Sequence, residues 1–387
     1  MRFLPARTLM ALVALLALLL PGPALWAEEA ESSAGQPPGI SPAYIKDLLG
    51  LSVYVQGGYT WNFNGQKENQ LRVFDTEANS FTLDLAQVIF ARQAAVGGLG
   101  YMVKISAGET AKLIHSAGLG DLGDDAFDLT DAYLTYVAPV GNGLELSFGK
   151  FETWIGAEVI DAAGDWNYSR SYLFGFAVPF THTGLKVSYP FTDMVRVSAF
   201  AVNGWDKSTD NNKDKSYGAQ LSTTPLPGLC LTFNFLGGPE EDDNNHSQRY
   251  LYDAVATYGP PMVVGLSLMV NYDYGYEENN NNAEIPGTSP AIWQGVAGYA
   301  RYQFLSWLAA ALRGEWFQDR NGFRTGLGQE VTLYEVTFTP EIEIRERLLL
   351  RPEYRHDWAS EEVFQDGDGA FTEKSQDTIA VGLMYTW

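Results

Sequence analysis

The sequence predicts an all-β chain folded as a transmembrane, antiparallel up-and-down β-barrel of about 16 strands, with short periplasmic turns and long extracellular loops. Three observations carry that class. In the last segment Ile379, Val381, Leu383, Tyr385 and Trp387 are all apolar, whereas Thr378, Ala380, Gly382, Met384 and Thr386 between them are small, polar or adaptable. The same period of two recurs in segments of about 8 to 13 residues, long enough to cross a bilayer at a tilt of about 45°. Tight links such as Pro190 to Met194, Pro225 to Gly228, Gly259 to Met262 and Leu305 to Trp307 alternate with long polar ones such as Asn64 to Ser80, Gly238 to Arg249 and Trp358 to Asp377. No stretch after the N-terminal leader approaches the roughly 18 apolar residues of a spanning helix, so backbone polar groups in lipid would have to be satisfied by a closed sheet.

In chain order, residues 1–27 read as a signal peptide: Arg2 and Arg7, an unbroken apolar run from Leu9 to Leu20, then a small residue, Ala27, at the expected cleavage point. Residues 28–50 form a periplasmic N-terminal segment, and 51–387 the barrel. The first strand, Leu51 to Phe63, puts Val53, Val55, Tyr59, Trp61 and Phe63 on one face and Ser52, Tyr54, Gln56, Thr60 and Asn62 on the other. The next seven are expected at Phe81 to Arg92, Gly97 to Ser106, Phe127 to Val137, Leu144 to Phe151, Thr183 to Tyr189, Val195 to Asn203 and Tyr217 to Thr224. The remaining eight are Leu229 to Leu236, Tyr250 to Tyr258, Val263 to Tyr274, Trp293 to Phe304, Leu308 to Gln318, Val331 to Thr339, Leu348 to Asp357 and Thr378 to Trp387. The second strand slips phase near Ala86. Because the first connection is long and the strand number even, both termini are expected in the periplasm. Sixteen strands enclose enough space for an aqueous channel.

Composition narrows the partners. The formal net charge is −22, and loss of Arg2 and Arg7 with the signal peptide makes it −24, so nucleic acid would be repelled. The expected partners are outer-membrane lipids and small hydrophilic solutes and ions, with a homotrimer or a monomer left open. The only cysteine, Cys230, cannot form an intramolecular disulfide and reads as a small wall residue.

From Asp131 to Asn212 the runs DAYLTYVAPVGNGLELSFGKFETWIGAEVI, NYSRSYLFGFAVPFTHTGLKVSYPFTD and NGWDKSTDNN resemble the OmpL-like β-barrel porins, with a weaker likeness at LYEVTFTP and LLLRPEYRHD. The resemblance implies an outer-membrane channel with no cofactor. It carries no substrate and no residue roles.

The longest connection, Glu152 to His182, is the third long one, the position at which general porins fold a loop inward. It carries Glu158, Asp161, Asp165 and Arg170, the candidate pore constriction, among Trp154, Ile155, Ile160, Trp166, Tyr172 and Phe174. A loop this apolar needs something to pack against, which an inward path, a cover over the mouth or a subunit interface would supply. The candidate pore wall is Arg313, Glu315, Glu335, Arg351, Glu353 and Arg355, which alternate with residues suited to lipid, such as Leu312, Trp316, Leu350 and Tyr354. An Arg on the lipid face near midplane costs about 2–4 kcal/mol, so these charges are assigned inward. They read either as one side of a transverse field facing the loop acids or as a self-neutralising ladder.

Other motifs point nowhere specific. Gly118, Gly120 and Gly123 match G-x-G-x-x-G without the flanking strand and helix of a dinucleotide site. Asp206, Asp210, Asn211, Asn212 and Asp214, like Asp366 and Asp368, are fragments of calcium loops lacking the terminal Glu. His115, His182, His246 and His356 show no zinc spacing, so no metal or catalytic residue is assigned. Nothing marks a nucleophile and base for an outer-membrane hydrolase. The function expected is therefore passive diffusion through a porin. The alternative is a structural or adhesive barrel with a plugged lumen. The acidic mouth favours cations, and the arginines of the lumen oppose that preference.

Overall fold

Alternating side chains force one closed surface with oil outside and polar groups within, and the structure has that form. It is a computed structural model and describes residues 49–120, 126–278, 290–345 and 347–387. The proposed signal peptide and nearly all of the proposed segment 28–50 lie outside the described residues, as does Gly123.

The barrel strands are β1 (Leu51–Asn62), β2 (Phe81–Arg92), β3 (Leu99–Ala107), β4 (Phe127–Ala138), β5 (Leu144–Glu152), β6 (Thr181–Thr192), β7 (Val195–Val202) and β8 (Ser216–Leu226), followed by β9 (Leu229–Pro239), β10 (Gln248–Tyr258), β11 (Leu266–Glu277), β12 (Ala291–Leu305), β13 (Leu308–Asp319), β14 (Val331–Arg345) and β15 (Leu348–Ala359). A small hairpin of β16 (Phe364–Gln365) and β17 (Phe371–Glu373) decorates the last long loop before β18 (Ser375–Thr386). Each barrel strand pairs antiparallel with its sequence neighbours, and β18 closes the ring on β1, with Trp61 opposite Ile379 and Val55 opposite Tyr385. The barrel therefore has 16 strands, with no free edge.

The expected facing holds on both terminal strands. Ile379, Val381, Leu383 and Tyr385 are exposed on the outer surface, whereas Gln376, Thr378, Ala380 and Met384 are buried within. On β1, Val55, Trp61 and Phe63 lie outside, and Tyr54, Gln56, Thr60 and Asn62 inside. Most strand ends lie within three residues of expectation, as where β11 begins at Leu266, and the largest difference is at β14, which continues past Thr339 to Arg345, where Glu341 is tied to Arg301 on β12 and Arg351 on β15.

The phase slip of the second strand is a β-bulge. Gln56 pairs with Leu85 and Gly57 with Leu83, leaving Asp84 unpaired in the ladder. The extra residue turns Asp84 into the lumen beside Leu85, where both are buried. There its carboxylate accepts hydrogen bonds from Thr82 (2.5 Å), Tyr168 Oη (2.6 Å) and Gln56 Nε2 (3.2 Å). A short helix, α1 (Glu109–Leu113), lies in the second long loop, whose tip bridges the fourth at Ala117 and Lys207.

Candidate functional site

The third long loop, residues 153–180, leaves β5 and turns into the barrel. Its apolar residues find the packing they need inside: Ile155, Ile160, Tyr172, Leu173, Phe174 and Val178 are all buried. The loop crosses the lumen to β13 and β15, where wall carboxylates take its backbone amides in pairs. Glu315 accepts from Tyr172 N and Leu173 N (both 2.6 Å), and Glu353 from Tyr168 N (2.7 Å) and Ser169 N (3.0 Å). Hydrogen bonds to a charged acceptor are roughly twice as strong as neutral ones.

Wall arginines complete the clasp by donating to loop carbonyls. Arg351 reaches Ala162 O (2.5 Å) and Asp165 O (2.6 Å), Arg355 reaches Arg170 O (2.6 Å), and Arg313 reaches Ser169 O (2.8 Å). Arg313 also pairs with Glu158 of the loop at 2.8 Å and with Glu335 of β14 at 2.6 Å. Arg313 and Glu335 are completely buried, and Arg351 and Arg355 are at most 2% exposed. No solute passes between groups at hydrogen-bond distance. These charges meet the loop in direct contact instead of facing it across an open gap.

The loop charges differ in the same way. Glu158 binds Arg313 and caps Ser171 N (2.7 Å), Asp165 binds Val159 N (2.9 Å), and Arg170 donates to Val159 O (3.0 Å), Tyr168 O (2.6 Å) and Ile160 O. All three are buried. Asp161 is placed apart from them, its side chain 24% exposed. It stands 3.4 Å from Lys104 Nζ on β3, which also contacts Glu152 (2.7 Å) and Asp131 (3.6 Å). Three carboxylates thus surround one ammonium at the foot of the loop.

Several contributors carry no sequence signal. Arg72 and Phe74 of the first loop enter the lumen: Arg72 binds Asp357 (2.6 Å), and Phe74 packs against Phe174 and Phe180 with ring centroids 5.4 and 5.2 Å apart. Trp293 of β12 donates from Nε1 to Ala177 O at 3.1 Å. The contacts join residues a hundred or more positions apart, and neither periodicity nor spacing marks them. Cys230 sits half-buried on β9.

Space remains on the opposite side. A cavity of about 950 Å³ runs from the short β2–β3 turn at Gln93 and Ala94 to the foot of the loop at Thr153 and Trp154. Its lining combines charged side chains, Arg92, Lys186, Arg196 and Glu145, with the rings of Tyr101, Tyr133, Phe151 and Phe200.

A closed ring of sixteen strands, apolar outside and narrowed by an inward third loop, defines an outer-membrane porin. Residues 49–387 match the model of the family described as Putative beta-barrel porin-2, OmpL-like, and the chain belongs to that family. None of the curated proteins matches it in sequence. Among solved structures it is similar to the outer membrane channel DcaP of Acinetobacter baumannii (12% identity, TM-score 0.58, covering 87% of this chain and 96% of that one). It is also similar to OmpF of Salmonella typhi in complex with daunomycin (12%, 0.58, 87% and 97%) and to a trimer form of OmpT of Vibrio cholerae (14%, 0.56, 87% and 98%). At these identities the likeness shows the fold.

Proposed function

We propose that solutes cross along the β2–β7 side of the lumen, past the foot of the third loop, and that the clasped β13–β15 side holds that loop in place. The carrying observation is the contrast in exposure. The Arg313, Arg351 and Arg355 side chains are at most 2% exposed, whereas Glu152 and Asp161 beside the cavity are about a quarter exposed. In this reading Glu158, Asp165 and Arg170 shape the constriction from within, and Asp161 lines it. Three carboxyl groups share the single ammonium of Lys104 at the narrowing, a surplus of acidic groups that favours small cations and polar solutes by passive diffusion. No catalytic step belongs to this reading.

The same proposal places residues 1–27 as a cleaved signal peptide, 28–50 in the periplasm and both barrel termini on the periplasmic side, because the short turns lie at that end of an outer-membrane barrel. A homotrimer is proposed on the likeness to the trimer form of OmpT. Chemical cross-linking of the purified protein in mild detergent tests it: a limit band at three subunits is expected, and a monomer at all cross-linker concentrations rejects it.

Single-channel recording under a KCl gradient tests the path. Wild type should give stable steps with a cation-selective reversal potential, and Asp161→Asn should move that potential toward zero. Insertion without conductance would make the barrel a plugged structural one, and an unchanged potential in Asp161→Asn would place the narrowing elsewhere.

A further inference from the structure

Two departures from regular sheet converge on one side chain of the third loop. The bulge on β2 turns Asp84 into the lumen, where Tyr168 Oη donates to it at 2.6 Å. Beside it, the inward-facing residues Gly58 on β1 and Gly382 on β18 are direct cross-strand partners, and a Cβ on either would overlap the Tyr168 side chain. An acid aimed at the hydroxyl and bare backbone under the ring thus make a seat for this buried phenol.

The seat lies between two spaces. Asp84 and Tyr168 line a small pocket, with Thr60 of β1 and residues 74–77 of the first long loop, that has room for about one water molecule. A bonded seam leads from this pocket to the large cavity. Gln56 Nε2 donates to Asp84 (3.2 Å), Ala162 N donates to Gln56 Oε1 (3.3 Å), and the neighbouring Asp161 meets Lys104 (3.4 Å), which lines the cavity.

We propose that Tyr168 is a gate on the solute path: seated, its phenol shuts the outer pocket off from the large cavity, and unseated it joins the two. The backbone here is fixed, since Glu353 takes Tyr168 N and Ser169 N and Arg170 donates to Tyr168 O, so the side chain is the part that moves. Leaving the seat strands nothing at Asp84, whose two oxygens keep Thr82 Oγ1 (2.5 Å) and Gln56 Nε2 as donors. The arginine clasp is different in kind, because releasing either partner there leaves a buried charge behind. The gate rests on the path proposed above and adds an outer barrier to it.

The test is the dwell times of single channels of wild type, Tyr168→Phe and Gly382→Ala. Tyr168→Phe removes the bond to Asp84 and should shorten the mean closed time roughly tenfold, the rate effect of one lost hydrogen bond. Gly382→Ala adds a methyl group beneath the ring and should also shorten it, although added bulk on a passive wall would only lower the conductance. A wild type without closures, or closed times in Tyr168→Phe equal to those of wild type, would overturn the proposal. So would a Gly382→Ala channel of lower conductance with unchanged dwell times. If Gly382→Ala does not fold, Gly58→Ala, which crowds the hydroxyl, gives the same readouts. Asp161→Asn reports on the path independently: a shifted reversal potential there, with closed times unchanged in Tyr168→Phe, rejects the gate and keeps the path.

Discussion

The two sides of the lumen use charge in opposite ways. Along β13 to β15, Arg313, Glu315, Arg351, Glu353 and Arg355 are buried and bonded to the third loop, the closest contact of each being 2.5 to 2.8 Å. Along β2 to β7, Lys186 and Arg196 share one carboxylate, Glu145, at 3.5 and 3.6 Å, with side chains 35% and 48% exposed to the cavity. A charged residue pointing into a barrel is thus not by itself a filter. A buried one binds structure, and an exposed one stays open to the cavity.

The largest effect that would test this division is on the clasped side. Replacing Arg313 with Gln leaves Glu158 buried without its cation and Glu335 with only Arg355 at 3.8 Å, and removing one partner of a buried pair costs about 3–5 kcal/mol. Denaturant unfolding should show a loss of that size, and channel recording should show larger, noisier conductance as the loop loosens. A variant as stable and quiet as wild type would break the comparison. Glu315→Gln keeps the shape but replaces one of the two oxygens that accept Tyr172 N and Leu173 N with an N–H donor, leaving one buried loop amide without an acceptor, so a loss of about 1–3 kcal/mol is expected by the same assay.

On the open side the order reverses. Lys186→Glu removes a half-exposed pair worth about 0–1 kcal/mol, so unfolding should barely change while the reversal potential moves toward stronger cation selectivity. A large stability loss without a shift in potential would show that Lys186 is structural after all. The smallest effect lies outside the membrane, at Glu240 in the loop after β9. It accepts from Trp205 N (2.8 Å) and Ser216 Oγ (2.6 Å), and burial pushes its carboxyl up to about 7. A raised acid lends stability when protonated, and this is lost as pH rises through about 7. Hydrogen exchange around Trp205 should therefore be slower at pH 5 than at pH 8, after correction for intrinsic exchange, and Glu240→Gln should flatten that difference.

The strands were legible because a barrel wall meets lipid on one side and its own interior on the other, so every residue declares its face by its chemistry. Even the bulge at Asp84 showed as a slip in phase. The inward direction of Arg313, Glu315, Glu335, Arg351, Glu353 and Arg355 followed from the same rule. Their partners did not. Arg313 meets Glu158 across 155 positions and Arg351 meets Ala162 across 189, and no local pattern encodes a distance of that kind. Arg72 and Phe74, in a loop that looked merely polar, proved to be part of the lumen filling.

By itself the sequence determined the closed wall, its strand number, which residues face lipid and the apolar character of the third loop, since solvent contrast acts on each residue locally. Only the tertiary structure decided which lumen charges are spent on holding that loop and which stay open to the cavity. That choice depends on desolvation at contacts between distant segments, and those contacts exist only once the barrel has closed.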